Sequence, residues 1–146
     1  GTTTPQQGDA LFASNARAPF FLAQAAAPYL KTTPGAIVNL VDIYAERPLA
    51  GHTVYCMAKA ALLMATKSLA LELAPDVRVN AVAPGAILWA ENETSEAKQQ
   101  AMLARTPLAR TGTAEEIAEA VRWLLRDATY VTGQVIRVDG GRMLAG

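Results

Sequence analysis

The chain has 146 residues, 51% of them hydrophobic, and its 13 basic and 13 acidic side chains give a formal net charge of zero. This composition predicts one globular domain with a hydrophobic core, and the lack of a basic block argues against a nucleic-acid partner. No signal peptide or uninterrupted apolar run of membrane-spanning length is evident, so we expect a cytoplasmic protein without a membrane partner. Cys56 and His52 are the single residues of their types, which excludes an internal disulfide and argues against a metal site.

The first predicted helix runs from Asp9 to about Leu30, after a loop at Gly1–Gly8. Pro19 interrupts this helix, because proline has no N–H and its ring clashes with the carbonyl four residues back. That carbonyl belongs to Asn15, which is therefore predicted to be free. Without further information the pattern is also typical of a kinked core helix with an exposed asparagine.

A strand at Ala36–Val41, a helix at Val54 to about Leu73 and a strand at Arg78–Ala83 come next. This order predicts a right-handed parallel crossover. Pro84 and Gly85 then end the second strand sharply.

Residues 90–110 are polar and weakly periodic, which indicates a substrate loop with a short helix at about Glu96–Leu103. The sequence Thr113-Ala-Glu-Glu116 is a capping box that opens another helix. Four apolar residues of this helix are predicted to face inward: Ile117, Val121, Leu124 and Leu125. A third strand follows at Val135–Val138. The predicted fold is α/β, one half of a doubly wound, Rossmann-like parallel sheet with helices on both faces, whose first strand has a bare apolar edge.

Three residues around the first crossover carry the chemistry. Tyr55 and Lys59 stand four residues apart on a helix and so project from one face. A nearby ammonium lowers the pKa of a phenol towards the range where it can exchange a proton near neutral pH. Asp42 ends the preceding strand, at the sheet edge where ligands bind in open α/β folds. Alternatively, Tyr55 and Lys59 decorate a surface, and Asp42 caps a turn.

Three motifs together resemble the catalytic half of the short-chain dehydrogenase/reductase family. They are Tyr55-Cys-Met-Ala-Lys59, Val77-Arg-Val-Asn-Ala-Val-Ala-Pro-Gly85 and Tyr130-Val-Thr-Gly-Gln-Val-Ile-Arg-Val-Asp-Gly-Gly141. The resemblance extends from about Asp9 to Met143.

Asp42 separates the chain from most of this family, which usually has a serine thirteen residues before the tyrosine. The aspartate resembles the pteridine reductase branch, as do Ser14–Leu22 and Gly85–Trp89. The resemblance therefore implies an NADPH-dependent oxidoreductase that transfers hydride to a dihydropterin or dihydrofolate-type ring.

In that family Tyr55 would be the proton donor, and Lys59 would lower its pKa and bind the nicotinamide ribose. Asn15 would hold a water that links the lysine to solvent. Asp42 would share or relay a proton and accept hydrogen bonds from the pterin, because an ionised carboxylate beside Tyr55 would by itself raise the tyrosine pKa.

Pro84, Gly85 and the Ile87 backbone would lie beside the nicotinamide, where close approach requires a residue without a side chain. Trp89 either walls the pterin pocket or is a partly buried lid residue. The resemblance also implies a homotetramer that uses the long helix.

The glycine-rich turn that dinucleotide-binding folds place between their first strand and helix is absent. We therefore interpret residues 1–146 as the catalytic and substrate half of one domain, with the nucleotide-binding N-terminal half elsewhere as its partner. That half would decide between NADPH and NADH, and the physiological pterin stays open. Two alternatives also stay open: a carbonyl-reducing enzyme acting on a 3-oxoacyl thioester or a sugar, and a non-catalytic assembly subunit.

Overall fold

A computed structural model describes residues 1–87 and 95–145, and its centre is a three-stranded sheet. The strands lie in the order β1-β2-β3 and both pairs are parallel, which confirms the predicted α/β fold. They are β1 (Gly35–Leu40), β2 (Val77–Pro84) and β3 (Val135–Val138). The α-helices of the described part are α1 (Pro5–Phe12), α2 (Ala18–Leu30), α3 (Thr53–Leu73), α4 (Glu96–Ala104) and α5 (Ala114–Arg126).

The N-terminal helix begins four residues before its predicted start. Thr4 and Gln7 form a capping box: the Gln7 amide donates to the Thr4 hydroxyl oxygen, and the Thr4 amide donates to the Gln7 side chain. Pro5 occupies the first helical turn, where its missing N–H costs nothing. The predicted loop is therefore present at residues 1–4, and its extension to residues 5–8 was wrong, because Thr4 and Pro5 start a helix there.

The interruption predicted at Pro19 takes the form of a π-helical turn at Ala13–Arg17, between α1 and α2. The Ala18 amide donates to the Ala13 carbonyl, five residues back. Such wider turns occur where the regular pattern of helix hydrogen bonds is broken. The turn packs against α3, which brings Asn15 to the helix that carries Tyr55 and Lys59.

The central strand β2 is buried on both faces, as expected for a strand covered by helices on each side. Helices α3 and α5 both pack against it. On α5, Leu124 is completely buried, and Ile117 and Val121 pack around it as predicted. Leu125 is 46% exposed, so its predicted inward position was wrong; it lines a surface groove instead.

Helix α3 has 21 residues and an 18-residue window of mean hydropathy 1.3, so by length and composition alone it could cross a membrane. Lys59 and Lys67 lie within this helix, so its sequence is not an uninterrupted apolar run. A third of that window is buried inside the protein. Its buried residues face the sheet and its neighbouring segments: Ala58, Leu62, Leu63, Thr66, Leu69 and Ala70. The same hydropathy is typical of a core helix.

Strand β1 is an edge strand of the sheet within the described part of the chain. Leu40 at its end is 52% exposed. It borders a groove of about 470 Å³ whose other walls are apolar residues of α5 together with two arginines. The bare edge predicted from the sequence is thus present in the fold.

Candidate active site

The site is built at the carboxyl ends of the parallel strands, around a contact between Asp42 and Tyr55. Asp42 follows β1 and Tyr55 lies in the first turn of α3. The Tyr55 hydroxyl donates a hydrogen bond to Asp42 Oδ2 at 2.8 Å. Both side chains are partly buried. The two residues that the sequence singled out thirteen positions apart are therefore in direct contact.

Asp42 also caps the turn that follows it. Its backbone is extended, and its Oδ1 accepts a hydrogen bond from the Tyr44 amide at 2.9 Å, at the start of the short 3₁₀ helix Ile43–Ala45. The cap fixes the carboxylate, and the second oxygen faces Tyr55. The two interpretations of Asp42, turn cap and site residue, are thus compatible, because each uses one oxygen.

Lys59 lies on the same face of α3 as Tyr55, as their spacing predicts. Its Nζ is 5.9 Å from the centroid of the Tyr55 ring and donates to the Leu40 carbonyl at 3.2 Å. Burial lowers the pKa of Lys59, and the charge of Asp42 opposes this shift. The last carbonyl of β1 therefore holds the ammonium beside the phenol.

The protonation of Tyr55 differs from the expectation that Lys59 lowers its pKa. Burial is the largest cause that raises the pKa of Tyr55, followed by the hydrogen bond to Asp42 and the charge of that carboxylate. The ammonium reaches the Leu40 carbonyl rather than the phenol oxygen, so it does not offset these effects. In this arrangement Tyr55 is a neutral phenol that holds its proton firmly.

Pro84 ends β2 and Gly85 follows it, next to the end of β3. The Gly85 amide donates to the Val138 carbonyl at 3.0 Å. A Cβ atom at Gly85 would lie 2.8 Å from the Asp139 Cα atom. Gly85 is therefore required for close packing against Asp139. The predicted approach of Gly85 to the nicotinamide stays a prediction. Ile87, two residues after Gly85, is partly buried.

A cavity of about 160 Å³ opens beside the Asp42 carboxylate. It lies between the ends of β1 and β2, helix α4 and the C-terminal turn, and its lining residues are Asp42, Ile43, Tyr44, Gly85, Ala86, Met102 and Arg142. Sequence reasoning missed Arg142. The signal that could have found it is the preceding pair Gly140 and Gly141, whose positive φ angles of 61° and 84° turn the chain back towards the site.

The remaining predicted residues have varied positions. The Asn15 side chain donates to the Leu11 carbonyl at 3.0 Å within the π-helical turn. His52 is exposed, in the loop before Tyr55. Asn80 is buried, and its side-chain amide donates to the Val131 carbonyl and accepts from the Gln134 amide. Trp89 lies outside the described residues.

Comparison with known proteins decides the family. A family model described as enoyl-(acyl carrier protein) reductase matches residues 1–142. The chain belongs to the short-chain dehydrogenase/reductase family. It is 40% identical to L-xylulose reductase of Caenorhabditis elegans and 41% identical to pteridine reductase 1 of Leishmania tarentolae, over 97% and 92% of its length. It covers 59% and 50% of those two relatives.

A solved structure gives the same family relationship. The crystal structure of acetoin dehydrogenase from Enterobacter cloacae superposes with a TM-score of 0.86 at 40% identity, over 99% of this chain and 59% of that one. The chain thus spans about half to three fifths of the proteins it matches. These relatives carry different substrate names, so similarity alone assigns an oxidoreductase family and leaves the substrate to the site.

Membership of the short-chain dehydrogenase/reductase family implies an NAD(P)(H) cofactor, and the site geometry can be tested against it. An ammonium has three N–H donors, and one from Lys59 is used by the Leu40 carbonyl, which leaves others for a ribose hydroxyl. Tyr55 and Lys59, on α3, bond to Asp42 and to the Leu40 carbonyl at the carboxyl end of β1, and Gly85 follows the neighbouring β2. Nucleotides bind at this edge in such sheets. The residues present fit the nicotinamide ribose end of the cofactor.

Proposed function

We propose that the chain is the catalytic half of an NADPH-dependent pteridine reductase, which reduces a dihydropterin or dihydrofolate-type ring. The observation that carries this proposal is the 2.8 Å hydrogen bond between Tyr55 and Asp42. A carboxylate at this position accepts hydrogen bonds from the N–H groups of an aminopterin, which a serine hydroxyl does less well. The 41% identity to a pteridine reductase supports the same substrate class.

In the proposed reaction a ring C=N bond gains a hydride at carbon and a proton at nitrogen. NADPH, when bound, supplies the hydride. Tyr55 supplies the proton from its hydroxyl. Burial and Asp42 raise the pKa of this hydroxyl, which keeps it protonated before the reaction and also makes it a weaker acid. Asp42 then relays a replacement proton from solvent to the phenolate oxygen, along the hydrogen bond that already joins them.

The cofactor-binding residues of the proposal are Tyr55, Lys59, Pro84, Gly85 and Ile87. Lys59 would bind the nicotinamide ribose with the N–H donors that the Leu40 carbonyl leaves unused. Pro84 at the end of β2 and Gly85 after it would lie beside the nicotinamide, because Gly85 has no side chain. Asn15 would hold a water that connects Lys59 to solvent, since its helical turn packs against α3.

A nucleotide-binding half is part of this proposal. It would add its strand to the edge of β1 and cover the apolar groove formed by Leu40 and α5. Support comes from the exposed edge and from the chain's coverage of 50% to 59% of its relatives. A stable, monomeric sheet with protected β1 amides in this chain by itself would contradict the proposal.

A homotetramer is the proposed assembly. Helix α3 presents exposed apolar side chains, Met57, Met64 and Leu71, and Phe21 and Leu22 of α2 are also more than half exposed. Apolar side chains at this density on neighbouring helices suit contact with a second copy. Size measurement of the assembled enzyme tests this part independently of activity.

Reduction of a carbonyl group, in a sugar or a 3-oxoacyl thioester, is the second candidate function. The comparable identity to L-xylulose reductase favours it. The charge of Asp42 opposes it, because a carbonyl oxygen that gains negative charge is better served by a neutral donor beside Tyr55. Asp42→Ser separates the candidates: a pterin enzyme should lose most of its kcat, whereas a carbonyl enzyme should keep or gain activity.

The direct test is NADPH oxidation by the assembled enzyme, with dihydrobiopterin and, separately, a 3-oxoacyl thioester or L-xylulose. Turnover of dihydrobiopterin supports the pteridine reductase. Turnover of only a carbonyl substrate moves the protein to the second candidate. Absence of turnover with each of them, in an enzyme that still assembles, would favour the remaining alternative, a non-catalytic assembly subunit.

A further inference from the structure

Arg142 is a buried cation in the wall of the candidate active site. It is 9% exposed, and its Nη1 donates to the Ala145 carbonyl at 2.9 Å. Its Nε is fully buried and has no hydrogen-bond partner among the described residues. The backbone around it is held separately, because Arg47 Nη1 donates to the carbonyl oxygens of Arg142 and Ala145 at 3.0 and 3.3 Å.

An unpaired donor on a buried guanidinium requires an explanation. Arginine stays protonated in proteins, and its five N–H donors lie in a fixed plane. Burial of a charged donor without an acceptor destabilises the folded state by more than the roughly 1–3 kcal/mol of a neutral group. The acceptor for this donor therefore lies outside the described residues.

Arg142 also lines the cavity beside Asp42, and a ligand bound there would lie against its side chain. Arg142 and Asp42 both line this volume of about 160 Å³. Water occupies about 30 Å³ per molecule in the liquid, so the space holds a few waters or the polar edge of a ring. Its walls are chemically complementary to a ligand with two kinds of polar atoms, since Asp42 accepts hydrogen bonds and Arg142 only donates them.

We propose that Arg142 is a substrate-binding residue that donates hydrogen bonds to an acceptor atom of the substrate, a ring carbonyl oxygen or an unprotonated ring nitrogen. The proposal rests on the proposed function, since a pterin ring carries N–H donors for Asp42 and acceptors for Arg142. The ring would then have one orientation in the cavity, with its N–H donors towards Asp42 and its acceptor atoms towards Arg142. Arg142 would thereby select substrates that have an acceptor edge.

The experiment compares Arg142→Met, Arg142→Lys and Arg47→Met in the assembled enzyme. Arg142→Met keeps an unbranched side chain of similar length but removes every donor. Arg142→Lys keeps the charge and loses the planar fork. Arg47→Met is the matched control, because it removes two hydrogen bonds to the same C-terminal turn from a residue that does not line the cavity. The readouts are KM and kcat for dihydrobiopterin, the Kd of NADPH and the melting temperature.

Arg142→Met should raise the KM for dihydrobiopterin about 10- to 100-fold, the range for loss of a hydrogen bond to a charged group. The Kd of NADPH should stay within about twofold under the same principle, because the proposed contact is with the substrate. Arg142→Lys should lie between wild type and Arg142→Met, and Arg47→Met should leave KM unchanged.

Two results would overturn the inference: an unchanged KM in Arg142→Met, or an equal rise in Arg47→Met, which would show that Arg142 only supports the turn. If Arg142→Met does not fold, the comparison of Arg142→Lys with Arg47→Met decides in the same way. Failure of the proposed function looks different, because the wild-type enzyme then does not reduce dihydrobiopterin. The same variants are in that case measured with the carbonyl substrate that it reduces, and an unchanged KM there overturns the inference. A wild-type enzyme that reduces no substrate overturns both.

Discussion

Asp42 and Asp139 both follow parallel strands at the same edge of the sheet, yet their carboxylates do different work. Asp139 uses both oxygens on the backbone: Oδ1 accepts from the Gly141 amide and Oδ2 from the Met143 amide, each at 2.9 Å. Asp42 uses Oδ1 on the Tyr44 amide and Oδ2 on the Tyr55 hydroxyl. A strand-end aspartate is thus no evidence for a site by itself. The distinguishing feature is an oxygen that faces a side chain capable of proton transfer.

Tyr55→Phe removes the group that makes Asp42 different from Asp139, and it should have the largest effect. We expect kcat to fall by about 10²- to 10⁴-fold, the usual contribution of a positioned general acid. The Asp42 cap on Tyr44 does not depend on the Tyr55 hydroxyl, so the melting temperature should change little. NADPH oxidation and a thermal melt of the assembled enzyme measure both. Substantial turnover in Tyr55→Phe would mean that another group donates the proton.

Asp139→Asn should lower stability and leave kcat almost unchanged, the opposite of Tyr55→Phe. An amide has one acceptor oxygen, so one of the two backbone N–H groups at Gly141 and Met143 would face an NH₂ donor. We expect the free energy of unfolding to fall by about 1–3 kcal/mol, with kcat near that of wild type. Denaturant unfolding and steady-state kinetics of the assembled enzyme provide the measurement.

Asp42→Asn is the matched control for this prediction. Its remaining oxygen can still accept from the Tyr44 amide, so stability should fall less than in Asp139→Asn, whereas kcat should fall more. Equal losses of stability and activity in the two variants would contradict the claim that Asp139 only supports the backbone while Asp42 takes part in proton transfer.

Much of this site follows from sequence because its rules are local. The four-residue spacing of Tyr55 and Lys59 fixes a common helix face, and both are half-buried on α3. The start of the first helix was missed because the Thr4 capping box lies in a stretch that reads as a loop. Helix spacing therefore predicts which side chains share a face, but the start of a helix is predicted only where its capping residues are recognised.

The missing part of the prediction depends on contacts between distant segments. The pKa of Tyr55 is raised because burial and Asp42 act on the phenol while the Lys59 ammonium bonds to the Leu40 carbonyl. Spacing alone gives no indication of that direction. Arg142 reaches the cavity beside Asp42 from a position 100 residues further along the chain. Its burial could be known only after the sheet and the C-terminal turn were assembled.

Glu46→Gln should produce the smallest effect and tests whether the two strand ends are coupled. Glu46 follows the turn after Asp42, and its carboxylate accepts two hydrogen bonds from Arg137, two residues before Asp139, at 2.6 and 2.7 Å. The hydrogen bond from Arg137 lowers the pKa of Glu46, against the opposing effect of burial. The stabilisation is therefore present above the unfolded pKa of Glu46 and is lost as the pH falls through the lower folded pKa. We expect the free energy of unfolding of Glu46→Gln to be about 0.5–1 kcal/mol below that of wild type at pH 7, with no difference in acid, measured by denaturant unfolding across pH.

Glu119→Gln is the control, since its pair with Arg122 is more exposed and should contribute less. A change in kcat in Glu46→Gln, with Glu119→Gln unaffected, would show that the pair also positions Asp42.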